Sequence, residues 1–291
     1  MRISRNLQLN TLLFRLELVL FSLVLAFCCL ACSHPSAVQQ TDYGVFLGVN
    51  PEQIELLKGY DTVVIDAAYF TKEEVETIRQ NGAKKVYTYL NIGSVETFRE
   101  GYDSVSDCIL SEYENWPGEF WVDVSRPEWQ TYIEQSAKEL AGKDVDGFFL
   151  DNSDVYYLYP TQEIFDGLVS IIKILNTLIK DILINGGDVF VSAAILNQDS
   201  PRIHIIGVNQ ECVFTNIDFA NNALILQDAD TSRYYQDYLA ACKEKGLEVY
   251  LLEYAKDGDR IEETIQAYCS QQGFRYYRSP LRGSGWINSS V

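Results

Sequence analysis

Two rhythms of apolar and polar residues take turns along the chain. Short runs rich in β-branched and aromatic residues alternate with longer stretches in which apolar side chains recur at three- and four-residue steps. The first rhythm predicts strands and the second amphipathic helices that cover them. Eight strands are predicted: Gly44 to Gly48, Thr62 to Asp66, Lys85 to Leu90, Gly147 to Asp151, Ile182 to Asn185, Ile205 to Asn209, Glu248 to Leu252 and Phe274 to Tyr277. Helices are predicted over Thr71 to Asn81, Glu128 to Leu140, Glu163 to Lys180, Tyr234 to Lys245 and Ile261 to Gln272. Gly82, Gly246 and Gly273 follow three of these, where a left-handed C-cap favours glycine. The alternation predicts an α/β fold, a single (β/α)8 TIM barrel over residues 43–291. An open doubly wound sheet would want a Gly-rich phosphate turn after its first strand, and Val49-Asn50-Pro51 stands there instead. Two connections, Gly93 to Pro127 and Cys212 to Thr231, exceed a minimal loop and are expected to shape the working face.

The start of the chain breaks the pattern. Arg2, Arg5 and Arg15 precede an almost uncharged apolar run, Leu18 to Ala31, with Glu17 at its edge. The run is too short to cross a bilayer and reads as the apolar core of an export signal. It closes on Leu30-Ala31-Cys32-Ser33, the arrangement at which bacterial lipoproteins are cleaved and acylated, although Cys29 stands where that pattern prefers an aliphatic residue. Residues 1–32 are therefore expected to be a lipoprotein-type signal with Cys32 acylated, simple secretion being the alternative. Residues 33–42 are polar and read as a tether. The expected location is the bacterial cell envelope or the medium, with the membrane as a partner only through the lipid.

Charge narrows the partners. The chain carries a formal charge of −18, and removing the signal takes away three arginines and one glutamate, leaving −20. Such a surface repels nucleic acid and attracts polycations, although an acidic coat also serves solubility alone. Cys108, Cys212, Cys242 and Cys269 lie in the predicted barrel without metal-ligand spacing. A Cys242–Cys269 bridge is conceivable after export, but single buried thiols fit better. His204 is the barrel's lone histidine, His34 falling in the tether, and on its apolar run it reads as structural. One histidine is too few for a His-rich zinc site or a His-based triad.

In such a barrel, chemistry sits at the C-terminal ends of the strands. Those ends are rich in carboxylates and amides: Asp66, Tyr89 and Asn91, Asp151-Asn152, Asn185-Gly186-Gly187, Asn209-Gln210-Glu211 and Glu253-Tyr254, with Trp121-Val122-Asp123 in the connection after the third strand. Crowded carboxylates split their pKa values, which glycoside hydrolysis exploits by keeping one carboxyl protonated and another ionised. The amides suit sugar hydroxyls, and Tyr89, Trp121 and Tyr254 suit pyranose faces. No cofactor or metal is required. Other readings stand beside these. Asp66 also reads as a helix N-cap, Asp123 and Glu253 as partners of internal cations, and Asn185-Gly186-Gly187 as a turn.

The blocks Tyr89-Leu90-Asn91-Ile92-Gly93-Ser94-Val95-Glu96, Trp121-Val122-Asp123-Val124, Asp146-Gly147-Phe148-Phe149-Leu150-Asp151-Asn152, Ile184-Asn185-Gly186-Gly187-Asp188, Val208-Asn209-Gln210-Glu211-Cys212-Val213-Phe214 and Gly273-Phe274-Arg275-Tyr276-Tyr277 together resemble glycoside hydrolase family 114 over roughly Tyr43 to Pro280. That family is known for endo-α-1,4-polygalactosaminidase. The resemblance implies a (β/α)8 barrel whose acidic pair falls at Asp151 and Glu211, with Asp151 as nucleophile and Glu211 as acid/base. Exchanged roles and an inverting mechanism stay open. One departure is Asn91-Ile92-Gly93-Ser94, where family members often carry Ser-Ile-Gly-Glu, so a substrate contact is expected to differ there. Asp66, Tyr89, Asn91, Asp123, Asn152, Asn185, Gln210, Glu253 and Tyr254 are the expected substrate-binding residues. The implied partner is a cationic galactosamine polysaccharide, cut by a monomer. Two other functions are carried forward: a lipid-anchored carbohydrate-binding barrel without turnover, and a metal-dependent polysaccharide deacetylase, which the histidine count disfavours.

Overall fold

The computed structural model describes residues 41–279, apart from 115, 198–201, 222 and 257. The expected signal segment with Cys32, and the tether up to residue 40, lie outside the described residues. The strands that build the sheet are β1 (Thr41–Phe46), β2 (Tyr60–Ile65), β3 (Lys85–Asn91), β7 (Gly147–Asp151), β8 (Asp181–Asn185), β9 (Gly207–Glu211), β12 (Glu248–Tyr254) and β13 (Arg275–Ser279). They pair in that order, neighbour with neighbour in parallel, and β13 comes back beside β1, so a (β/α)8 barrel is nearly closed.

Five long helices cover the barrel: α1 (Lys72–Gln80), α2 (Pro127–Gly142), α3 (Gln162–Leu178), α4 (Ala229–Glu244) and α5 (Ile261–Gln272). Their ends follow local chemistry. Thr71 and Glu74 form a capping box at α1, while Thr161 and Asp228 cap α3 and α4. Gly246 and Gly273 end α4 and α5 with φ of 83° and 69°, conformations that cost other residues a clash. Facing the strands, α3 buries Ile164, Phe165, Leu168, Ile171, Ile172 and Leu175. Among the described residues no helix is long and apolar enough to cross a membrane.

Three strands start two or more residues from their expected positions, β2 at Tyr60 rather than Thr62 among them. β1 starts at Thr41 because Gly44 belongs inside it, where the rings of Phe46 and Tyr60 pass too close for any Cβ. β9 starts at Gly207 rather than at Ile205, its ladder beginning opposite Glu248. Ile203 and Ile205 are buried ahead of it, but His204 between them is exposed, so the structural reading of this histidine is corrected to a surface one. The four barrel cysteines are all unbridged.

The two long connections are ordered excursions. After β3 come β4 (Ser94–Glu96), β5 (Ile109–Glu112) and β6 (Glu119–Val122), an antiparallel sheet in the order β4-β6-β5. After β9 comes the hairpin of β10 (Thr215–Asp218) and β11 (Ala223–Leu226). The excursions meet where the rings of Trp116 and Phe219 approach edge to face at 6.0 Å.

Candidate active site

The period-two alternation of strand side chains selects what reaches the site. Inside the barrel Tyr43, Val64, Tyr87, Tyr89, Phe149, Leu183 and Tyr250 pack into one cluster. Two positions beyond Tyr89, Phe149 and Leu183 on the same face come Asn91, Asp151 and Asn185. On β9 and β12 the same step leads from Asn209 to Glu211 and from Leu252 to Tyr254. An apolar floor thus carries a polar ring at its C-terminal end, with Asn91 beside Asp151 and Asn185 beside Asn209 in the ladders.

Above this ring lies a cavity of about 820 Å³ whose walls include Asp66, Tyr89, Asp151, Asn152, Asn185, Glu211 and Tyr254. That is near the upper end of the roughly 300–1,000 Å³ typical of ligand sites. Asn185 joins the two principal carboxyls. Its Nδ2 donates to Oδ1 of Asp151 at 2.9 Å and to Oε1 of Glu211 at 2.7 Å. The orientation of that amide is set from below: Tyr43 donates to Oδ1 of Asn209 at 3.0 Å, and Nδ2 of Asn209 donates to Oδ1 of Asn185 at 2.6 Å. Tyr254 donates to the other Glu211 oxygen at 2.6 Å. Oδ2 of Asp151 has no hydrogen-bond partner among the described residues.

Desolvation and the neighbouring Glu211 charge push Asp151 up to about 8. Desolvation raises Glu211 as well, against the hydrogen bonds from Tyr254 and Asn185 that favour its ionised form. Burial thus favours the protonated form of both carboxyls, and the Glu211 charge opposes ionisation of Asp151, as in a pair that shares a proton.

Some expected site residues lie elsewhere. Gln210 alternates with Asn209 and Glu211, so it points away from the barrel interior; its Nε2 donates to the Glu211 carbonyl, and its Oε1 is buried without a partner. Glu253 likewise alternates with Tyr254 and anchors the chain after β9, accepting from the backbone N–H groups of Val213, Phe214 and Thr215 and from the Thr215 hydroxyl. Asp123 accepts from the N–H and hydroxyl of Ser125 in the turn ahead of α2. None of the three lines the cavity, and the contacts the structure gives them are with the chain itself. Trp121 is buried and stacked at 4.1 Å on Tyr113, and Tyr113 is the ring that faces the cavity. Asn91 stands behind the wall as a donor. Asp66 caps the turn Ala67–Tyr69 and also lines the cavity. Gly186 and Gly187, at φ of 61° and 62°, do form a turn.

Three functional groups were not picked out in the sequence. Arg99 pairs with Asp66 at 2.8 Å and with Glu96 at 3.2 Å, so two wall carboxylates share one cation. Asp154 lines the cavity, accepts from Gly187 N–H, and is pushed up to about 6 by desolvation. Glu119 lines it too, and desolvation pushes it up to about 7. The available signals were Glu96 and Arg99 at helix-like spacing, the second aspartate of Asp151-Asn152-Ser153-Asp154, and the alternation of Glu119-Phe120-Trp121-Val122. Asn91 and Ser94, where the sequence departs from the family pattern, both donate to Glu119.

The family model described as glycoside-hydrolase family GH114 matches residues 33–288. No curated protein sequence matches the chain. Among solved structures, the glycoside hydrolase domain of PelA from Pseudomonas aeruginosa is similar with a TM-score of 0.69 at 17% identity, over 83% of this chain and 94% of that one. Aspergillus fumigatus Ega3, solved in complex with galactosamine, gives a TM-score of 0.59 at 17% identity, over 86% and 94% respectively. The α-galactosidase TtGalA of Thermus thermophilus gives 0.57 at 12% identity, over 83% of this chain and 58% of its own. At these identities the solved structures speak for the barrel fold.

Proposed function

The chain belongs to glycoside hydrolase family GH114, and from that membership we propose that it is an exported, endo-acting hydrolase of an α-1,4-linked galactosamine-containing polysaccharide. The observation that carries the chemistry is the Asn185 bridge. The two bridged oxygens, held at 2.9 and 2.7 Å from one nitrogen, are at most about 5.6 Å apart, a closeness that supports a retaining pair over the wider inverting arrangement.

Asp151, with Oδ2 unengaged, attacks the anomeric carbon as the glycosidic C–O bond breaks. Glu211 gives its proton to the leaving oxygen. Glu211 then takes a proton from water, which displaces Asp151 and restores the starting state. In the free site the hydrogen bonds favour charge on Glu211, the reverse of this allocation. Moving the proton to Glu211 removes the charge beside Asp151, one of the causes of its raised pKa, so the nucleophile ionises as the acid is armed.

The galactosamine in the Ega3 complex and the acidic cavity support an amino-sugar polymer. A cavity walled by both excursions supports binding within a polymer. New reducing ends from a partially deacetylated α-1,4-galactosamine polymer test the assignment, and release by Asp151→Asn equal to that of the parent would sink it. Binding without turnover in the parent would favour the carbohydrate-binding alternative. For Cys32 as the lipid site, the composition of residues 1–32 is the support; loss of fatty-acid labelling in Cys32→Ala is the expected result.

A further inference from the structure

The cavity holds a third carboxylate built unlike the dyad. Oε1 of Glu119 accepts from three neutral donors: the Ser94 hydroxyl at 2.5 Å, Asn152 Nδ2 at 3.0 Å and Asn91 Nδ2 at 3.1 Å. Oε2 has no partner among the described residues, and no cation pairs with Glu119 among them. Such a grip spends three donors on one oxygen and leaves the other to a ligand. On the same wall Asp66 and Glu96 at least share a cation, both pairing with Arg99.

The grip also fixes where the free oxygen stands. Asn152 follows Asp151 directly, and Asn91 lies opposite Asp151 in the ladder between β3 and β7. Glu119 is therefore tied to Asp151 from two sides. A half-buried carboxylate without a counter-ion is relieved most by a ligand cation that can donate hydrogen bonds. A hydroxyl or an acetamido group supplies no charge, so neither offers the same compensation.

We propose that Glu119 is the specificity-determining residue of the cleft, its Oε2 taking the protonated amino group of the sugar unit seated beside Asp151. The inference rests on the amino-sugar reading above and adds to it the residue that distinguishes a free amine from its acetylated form.

Calorimetric binding to the Asp151→Asn protein, chosen to suppress turnover, tests it with an α-1,4-linked galactosamine oligosaccharide and the fully N-acetylated oligosaccharide of the same length. The amine form is expected to bind more tightly. Adding Glu119→Gln should weaken it roughly tenfold to a hundredfold, as loss of a charge-assisted hydrogen bond does, and leave the acetylated form within about twofold. Should the Gln variant fold poorly, Glu119→Asp, which keeps the charge but retracts it, is expected to lose affinity for the amine form alone. Equal losses for both oligosaccharides, or a preference that survives Glu119→Gln, would overturn the inference and leave the functional reading standing. Binding of neither oligosaccharide before Glu119 is changed would overturn both.

Discussion

Asn209 donates to the side-chain oxygen of Asn185 at 2.6 Å, and that bond decides which end of the Asn185 amide faces the two carboxyls. Were the amide reversed, its oxygen would confront Asp151 and Glu211, and the bridge between them would become a repulsion. Both residues are buried, so the preference is not diluted by water.

Removing the Asn185 amide should therefore cost catalysis more than folding. Asn185→Ala is expected to lower kcat about a hundredfold to a thousandfold, the usual effect of deleting one preorganised donor in a dry site. Asn209→Leu, which frees the amide to turn, should give a smaller loss in kcat. Initial rates on the polymer, with unfolding curves alongside, separate the two effects; an Asn185→Ala protein as fast as the parent would remove the bridge from the mechanism.

The buried carboxyls predict an unusual stability profile. Asp151, Glu119, Glu253 and Asp154 are pushed up to about 8, 7, 7 and 6. Each binds its proton more tightly folded than unfolded. Their contribution is complete below about pH 4 and is lost as pH rises through the folded values. The melting temperature should thus be higher at pH 5.5 than at pH 8.5, and Asp151→Asn should flatten the slope. A profile that rises over this range would contradict the raised values. Activity should fall above about pH 8, where the dyad loses its shared proton.

Gln210 offers a test of side-chain direction. Its Oε1 is buried without a partner, so Gln210→Met exchanges an unsatisfied amide for an apolar chain of similar length, at the cost of the bond to the Glu211 carbonyl. Stability should change by less than about 1 kcal/mol in urea unfolding, with KM and kcat within about twofold of the parent. A large rise in KM would return Gln210 to the substrate face.

Gly93 is confined by packing. A Cβ there would lie 1.8 Å from the carbonyl oxygen of Asn152, a residue already held at a φ of 63°. Gly93→Ala should destabilise the fold by about 2–3 kcal/mol and shift the segment beside Asp151. A drop in kcat larger than tenfold is the expected kinetic signature; parent-like stability and rate would show that the contact gives way freely.

The repeat of strands and helices was legible because it depends on local spacing of apolar residues, and α5 occupies the predicted span, Ile261–Gln272. The end of β7 was legible for the same reason, since Asp151 closes an apolar run, whereas Glu211 was marked by the polar cluster Asn209-Gln210-Glu211 that follows one. Direction was harder to read. Gln210 and Glu253 stand at strand ends as Glu211 and Tyr254 do, but the period of two turns them outward, and an error of one residue in strand register reverses that inference. Glu119 and Arg99 were hidden for another reason: they reach the cavity through an excursion whose path depends on contacts distant in sequence, such as the bond between Asn152 and Glu119.

That excursion and the hairpin after β9 touch through Trp116 and Phe219, while the dyad and its amide bridge are rooted in the barrel strands themselves. The proposed catalytic groups and the rings overhanging them are thus carried by separately replaceable stretches of chain. Transplanting the excursions between relatives is accordingly a route to altered polymer preference in which the cutting apparatus need not be rebuilt.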